Sequence, residues 1–116
     1  MTVRSTAFAA MAAMCLLLGL GAAAPVLAEE ESFVLTIKDH RFDPETLEVP
    51  AGQKIKLVVR NQDSTAEEFE SYSLNREKVI PGNSEGIVYV GPLDAGSYDF
   101  FGEFHEDTAK GKLVAK

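Results

Sequence analysis

The chain predicts an all-β sandwich of seven to eight short strands. Apolar and polar residues alternate with a period of two, as in "SFVLTIKD" and "QKIKLVVRN". Turn signals recur about every 8–12 residues, the spacing of a sandwich or barrel. Beyond the first 28 residues no segment carries a helical period long enough to matter.

"SFVLTIKD" sets Phe33, Leu35 and Ile37 on one face. "DHRFDP" then turns, with Asp43-Pro44 as its signal, and "ETLEV" is a short strand closed by "PAG". "QKIKLVVRN" points Ile55, Leu57 and Val59 inward and Lys54 and Lys56 outward, before the loop "NQDSTA". "EEFESYSL" is a strand with a charged start, "REKVI" a further strand stopped by Pro81-Gly82, and "EGIVYVG" another. "PLDAG" turns, "SYDFFGEF" runs extended, "HEDTA" loops and "KGKLVAK" closes the chain.

Residues 1–28 read as a secretory signal peptide: Arg4, then the apolar run "AFAAMAAMCLLLGLGAAA", then Val26-Leu27-Ala28 before "EEES". The run also approaches the roughly 20 residues of an uncleaved anchor. Cleavage after Ala28 is the preferred expectation, because small residues sit where the peptidase needs them. It leaves residues 29–116 as one exported, periplasmic domain with no stable membrane span. All three methionines and the single Cys15 leave with the signal, so the exported domain has no sulfur and no disulfide. Loss of Arg4 takes the formal charge from -7 to -8. That balance argues against nucleic acid and anionic membrane surfaces as partners, since both need Lys/Arg patches. A negative field also attracts cations.

Catalytic constellations are missing. The exported domain has no cysteine nucleophile, no "GxSxG" elbow and no phosphate-cradling glycine loop. His40, His105 and a set of carboxylates remain. In "EEF", Phe69 faces the core, so Glu67 shares its face and Glu68 points away. An acid on the core side needs a partner or a metal, whereas the plainer reading of the pair is a solvated sheet edge. In "GEFHEDT", Glu103 and His105 lie on one side if the strand continues, with Glu106 and Asp107 in the loop. Imidazole and carboxylates suit iron, manganese, zinc or Cu(II), not Cu(I). His40, beside Asp39, reads first as an exposed turn residue and second as a ligand. The aromatic set Tyr98, Phe100, Phe101 and Phe104 reads as core and edge packing.

Together, "FDPETLEVPAG", the Asn61 loop leading into "EEFE", "LDAGSYDFF" and "KGKLVAK" resemble bacterial cupredoxin-like domains, over nearly all of residues 29–116. The resemblance implies a Greek-key β-sandwich. It also implies positions for a copper site: a histidine at Glu67 or Glu68, a cysteine at Gly102, a second histidine at His105, a methionine near Ala109. Only His105 matches. A type 1 copper site needs a thiolate, so blue-copper electron transfer is excluded. The chain is similar to the periplasmic cupredoxin-like components of bacterial iron uptake, the EfeO-type and FtrB-type proteins. Their "A-x-E-aromatic-E" pattern is matched by Ala66 to Glu70 and puts the metal-associated glutamate on Glu68. Cysteines of some members fall on Phe42 and Gly102.

The resemblance implies a metal-binding accessory protein of iron uptake, holding an iron or copper ion. Its candidate ligands are Glu67 or Glu68, Glu103, His105 and Asp107, with His40 and Glu106 as weaker ones. An inner-membrane iron permease or a periplasmic iron-binding protein is the implied partner. No enzyme activity is expected of the chain alone, although ferrous oxidation is implied for some relatives. The alternative is a metal-free interaction module docking on the permease or partner.

Overall fold

A computed structural model describes residues 30–116. The expected signal peptide and its cleavage site lie outside the described residues. The strands are β1 (Glu31–Lys38), β2 (Arg41–Asp43), β3 (Thr46–Val49), β4 (Ile55–Asn61), β5 (Glu67–Ser71), β6 (Arg76–Ile80), β7 (Ser84–Val90), β8 (Gly96–Phe101) and β9 (Lys110–Ala115). One short 3-10 turn, Glu103–His105, lies between β8 and β9. Among the described residues, no helix is long and apolar enough to cross a membrane.

These strands form two sheets, ordered β2-β1-β4-β7 and β3-β9-β8-β5-β6. The period of two explains which side chains lie between them. Leu35 and Ile37 on β1, Ile55, Leu57 and Val59 on β4, Phe69 on β5 and Leu113 on β9 are all fully buried. Phe42, Phe69 and Phe100 knit the layers by edge contacts, the Phe42 and Phe100 ring centroids being 4.9 Å apart. Of the aromatic set, Phe100 is core, whereas Phe104 is largely exposed.

Two parts differ from the expectation. The sandwich has nine strands, because "RFD" after the first turn pairs back on β1, with Ile37 opposite Phe42. A three-residue strand is too short for alternation to reveal. Secondly, the chain does not continue extended past Phe101. His105 N–H donates to Gly102 O and Ala109 N–H donates to His105 O, so residues 102–109 close into a compact loop.

Topology brings distant segments to one end of the sandwich. β1 and β4 run parallel with Ile37 beside Asn61, so both strands end at the same level. β5 starts at that end, and β8 runs antiparallel to it and leaves there. The turn after β1, the loop before β5 and the loop after β8 are thereby neighbours. Asn61, buried at the end of β4, ties them down. Its Nδ2 donates toward the carbonyls of Thr65 (2.8 Å), Ile80 (3.1 Å) and Pro81 (3.2 Å). Its Oδ1 accepts from Asp63 N–H at 2.9 Å. Replacing Asn61 with Ala leaves these groups without partners. We expect a loss of about 2–3 kcal/mol in urea unfolding, with amide exchange rising first at residues 62–66.

Candidate metal centre

The β1–β2 turn is a two-residue left-handed bend, with φ of 51° at Asp39 and 57° at His40. L-residues resist that conformation, and an outside carboxylate holds it here. Asp63 Oδ1 accepts from Asp39 N–H at 2.7 Å and Oδ2 from His40 N–H at 3.0 Å. Burial alone would raise the Asp63 pKa, but the two amide donors outweigh it and hold the group below its ordinary value. Asp63 is thus a positioning residue, and sequence reading passed over it inside "NQDSTA".

The bend aims His40 at Glu67, the first residue of β5. His40 Nδ1 donates to Glu67 Oε1 at 2.6 Å, and His105 Nδ1 donates to Oε2 at 3.1 Å. A carboxylate only accepts, so the proton of each contact is on the imidazole. The Glu67 side chain is 0% exposed, while those of His40 and His105 are 43% and 32% exposed. The hydrogen bond to Glu67 raises the His40 pKa, opposed by desolvation and assisted by the charges of Glu67, Asp63 and Asp39. The two imidazoles stack, with ring centroids 3.5 Å apart and planes 16° from parallel. His40 is thus a part-exposed turn residue, as its first reading has it, and also belongs to this cluster. Its partner lies 27 residues away in sequence, beyond the reach of local patterning.

Ligand atoms of His40, Glu67 and His105 all lie within 4.8 Å of one another. Two imidazoles and a carboxylate suit a hard or borderline cation. Stacked rings cannot both direct an in-plane lone pair at one ion, so an ion held by all three residues needs the exposed imidazoles to swing apart, each offering Nε2 or a deprotonated Nδ1. A type 1 copper does not fit. The resemblance puts the thiolate at Gly102, where a Cβ would stand 2.9 Å from Glu68 O and 3.0 Å from the Ala109 Cβ.

Glu68 and Glu103 do not join this cluster. Glu68 points to the opposite side of β5, as alternation requires, yet it is only 1% exposed. The solvated edge fails here because the Glu103–His105 turn lies against β5. Glu68 and Glu103 meet Glu70 and Glu77 instead. Burial, then the nearness of Glu70, Glu103 and Glu77, pushes Glu68 up to about 8. Asp107 and Glu106 are in neither cluster; they line a surface depression beside His40 and His105.

Gly102→Ala should cost about 1–3 kcal/mol in urea unfolding, because backbone must shift to admit the methyl group. Glu68 holds a proton in the folded state between its ordinary 4.5 and about 8 that the unfolded chain releases. Stability in metal-free buffer should therefore fall as pH rises through that window. Glu68→Gln should remove the slope, leaving the variant more stable at pH 8–9 by on the order of a few kcal/mol and near wild type at about pH 4.

The sequence matches the model of the cupredoxin-like domain over residues 8–115. A protein of Rickettsia prowazekii, described as uncharacterized, is 46% identical over 80 residues, covering 69% of this chain and 64% of that protein. The chain thus spans less than two thirds of that relative's length. Among solved structures, auracyanin A, a "blue" copper protein of Chloroflexus aurantiacus, aligns at a TM-score of 0.65 and 16% identity, over 76% of this chain and 100% of that one. A copper binding protein in its apo form aligns at 0.64 and 15% identity, over 73% and 86%. An oxidized mutant of amicyanin aligns at 0.59 and 15% identity, over 72% and 81%. At these identities the likeness is one of fold. From its two-sheet sandwich and the family match across most of its length, the chain belongs to the cupredoxin-like domain family.

Proposed function

We propose that this protein is an exported, periplasmic metal-binding accessory of iron uptake, which holds one hard or borderline cation through His40, Glu67 and His105. One observation carries the reading. Glu67 is a fully buried carboxylate whose ionic contacts among the described residues are two imidazoles and no Lys or Arg. A buried charge needs compensation, and here that comes either from imidazole protons or from a cation replacing them. Asp63 pre-sets His40, and the 102–109 loop pre-sets His105. The two half-exposed rings give an ion access from solvent. The donor set supports Fe(II), Fe(III), Mn(II) or Cu(II) and disfavours Cu(I). Iron as cargo rests on the sequence resemblance to iron-uptake components, and an inner-membrane permease or periplasmic iron-binding protein is the partner that resemblance supplies.

A second reading has its own support. The cluster satisfies itself without metal, through two hydrogen bonds and a ring stack. On that reading His40–Glu67–His105 is a structural clasp, and the domain docks on a permease or partner.

Equilibrium dialysis of the purified protein against Fe(II) under anaerobic conditions, Mn(II) and Cu(II) separates the two. The metal reading expects one ion per chain at this site and at least a tenfold weaker affinity in Glu67→Gln and His105→Ala. Binding displaces imidazole protons, so affinity should also fall as pH drops below the raised His40 pKa. No saturable binding, or equal binding by His105→Ala, leaves the clasp.

A further inference from the structure

Glu67 and Glu68 are adjacent on β5 and face opposite ways. Behind Glu67 is the imidazole pair; beyond Glu68 is a separate group of acids. Glu70 lies two residues along on the Glu68 side. Glu77 is its direct cross-strand partner on β6. Glu103 opens the turn after β8, which lies against β5. One carboxylate oxygen from each of the four sits within 4.8 Å of the others.

Such an arrangement is costly by itself. Like charges directly opposite on neighbouring strands repel, and Glu70 and Glu77 are such a pair. Glu68 Oε1 and Glu70 Oε2 are buried and, with both groups ionised, have no hydrogen-bond partner among the described residues; a proton shared between Glu68 and Glu70 is the alternative to a cation. The Lys and Arg ion pairs among the described residues are Lys54–Glu30, Arg60–Glu85 and Lys116–Glu48, all elsewhere. Lys78, next to Glu77, is registered with Phe69 and so faces the other way. An acidic cluster alone would mean little. A carboxylate oxygen on a residue 99% buried, without a hydrogen-bond partner among the described residues and within the cluster, points independently to a ligand.

We propose that Glu68, Glu70, Glu77 and Glu103 form a second cation site, for one hard divalent ion of the Ca2+ or Mn2+ kind, distinct from the His40–Glu67–His105 cluster. All-carboxylate donors select such ions over Cu(I) or Zn(II). At Ca–O distances of roughly 2.3–2.6 Å, oxygens on opposite sides of the ion stand about 4.6–5.2 Å apart and adjacent ones closer. Four oxygens within 4.8 Å of one another are compatible with that size. Glu77 and Glu103, on the exposed side, admit the ion and leave room for water ligands. Buried Glu68 supplies its inner contact. Binding links β5, β6 and the 102–109 loop, so it also steadies the turn carrying His105.

The test is calorimetric titration of the purified protein with Ca2+ and, separately, Mn2+, beside thermal melts. The proposal expects one Ca2+ per chain and a melting midpoint that rises with Ca2+ concentration. Glu77→Gln, an exposed strand residue whose loss leaves the core intact, should weaken Ca2+ at least tenfold, as should Glu70→Gln. The double variant His40→Ala/His105→Ala should bind Ca2+ as wild type does, which keeps this site's outcome separate from that of the imidazole cluster. Failure of the wild-type protein to bind either ion overturns the proposal: the four acids then share a proton only. Wild-type affinity in a folded Glu77→Gln variant overturns it as well.

Discussion

The parallel pairing of β1 with β4 is the constraint on which this end of the molecule depends. It ends the two strands level, at Ile37 and Asn61, and leaves the β1 turn and the β4–β5 loop side by side. Each loop then supplies what the other lacks. Asn61 closes the longer loop from within, and that loop returns the Asp63 carboxylate to two amides of the left-handed bend. The bend fixes His40, and His40 meets Glu67. If Asn61 is removed, the chain of dependence fails from its first link.

Two neighbouring glutamates at the start of β5 give the end of the sandwich its chemistry. Because strand side chains alternate, one strand presents a carboxylate to each side. Both are buried, for different reasons. Glu67 sits beneath two imidazoles that hydrogen-bond its two oxygens. Glu68 is enclosed by the loop after β8 and meets acids instead of bases. The same loop therefore serves both sides: its 3-10 turn contributes Glu103 to one group and His105 to the other.

The cupredoxin-like fold is kept here around a different set of side chains. Where blue-copper chemistry requires sulfur, Gly102 packs against the Glu68 carbonyl and Ala109 with no room for a side chain. The position is occupied by close packing, so restoring a cysteine there would disturb the sandwich before it could restore a copper site.

Much of the fold was legible in advance, because burial in a sandwich follows a period of two that any stretch of chain displays. Leu35, Ile37, Ile55, Leu57 and Val59 were readable as core from alternation alone, as were the missing thiolate and the opposed directions of Glu67 and Glu68 from residue identity and strand geometry. β2 was not legible, being too short to alternate, nor was the 3-10 turn, which depends on hydrogen bonds within the 102–109 loop. Grouping was hidden most of all. Read along the chain, Glu103 and His105 belonged together and His40 stood apart. In space, Glu103 sorts with Glu68, Glu70 and Glu77, and His40 with Glu67 and His105. The sequence by itself determined the strand pattern, the donor types and the absence of a thiolate from residues 29–116, since these follow from local spacing and side-chain identity. Only the tertiary structure decided which donors share a site, because that rests on strand register and loop closure between residues as many as 65 positions apart.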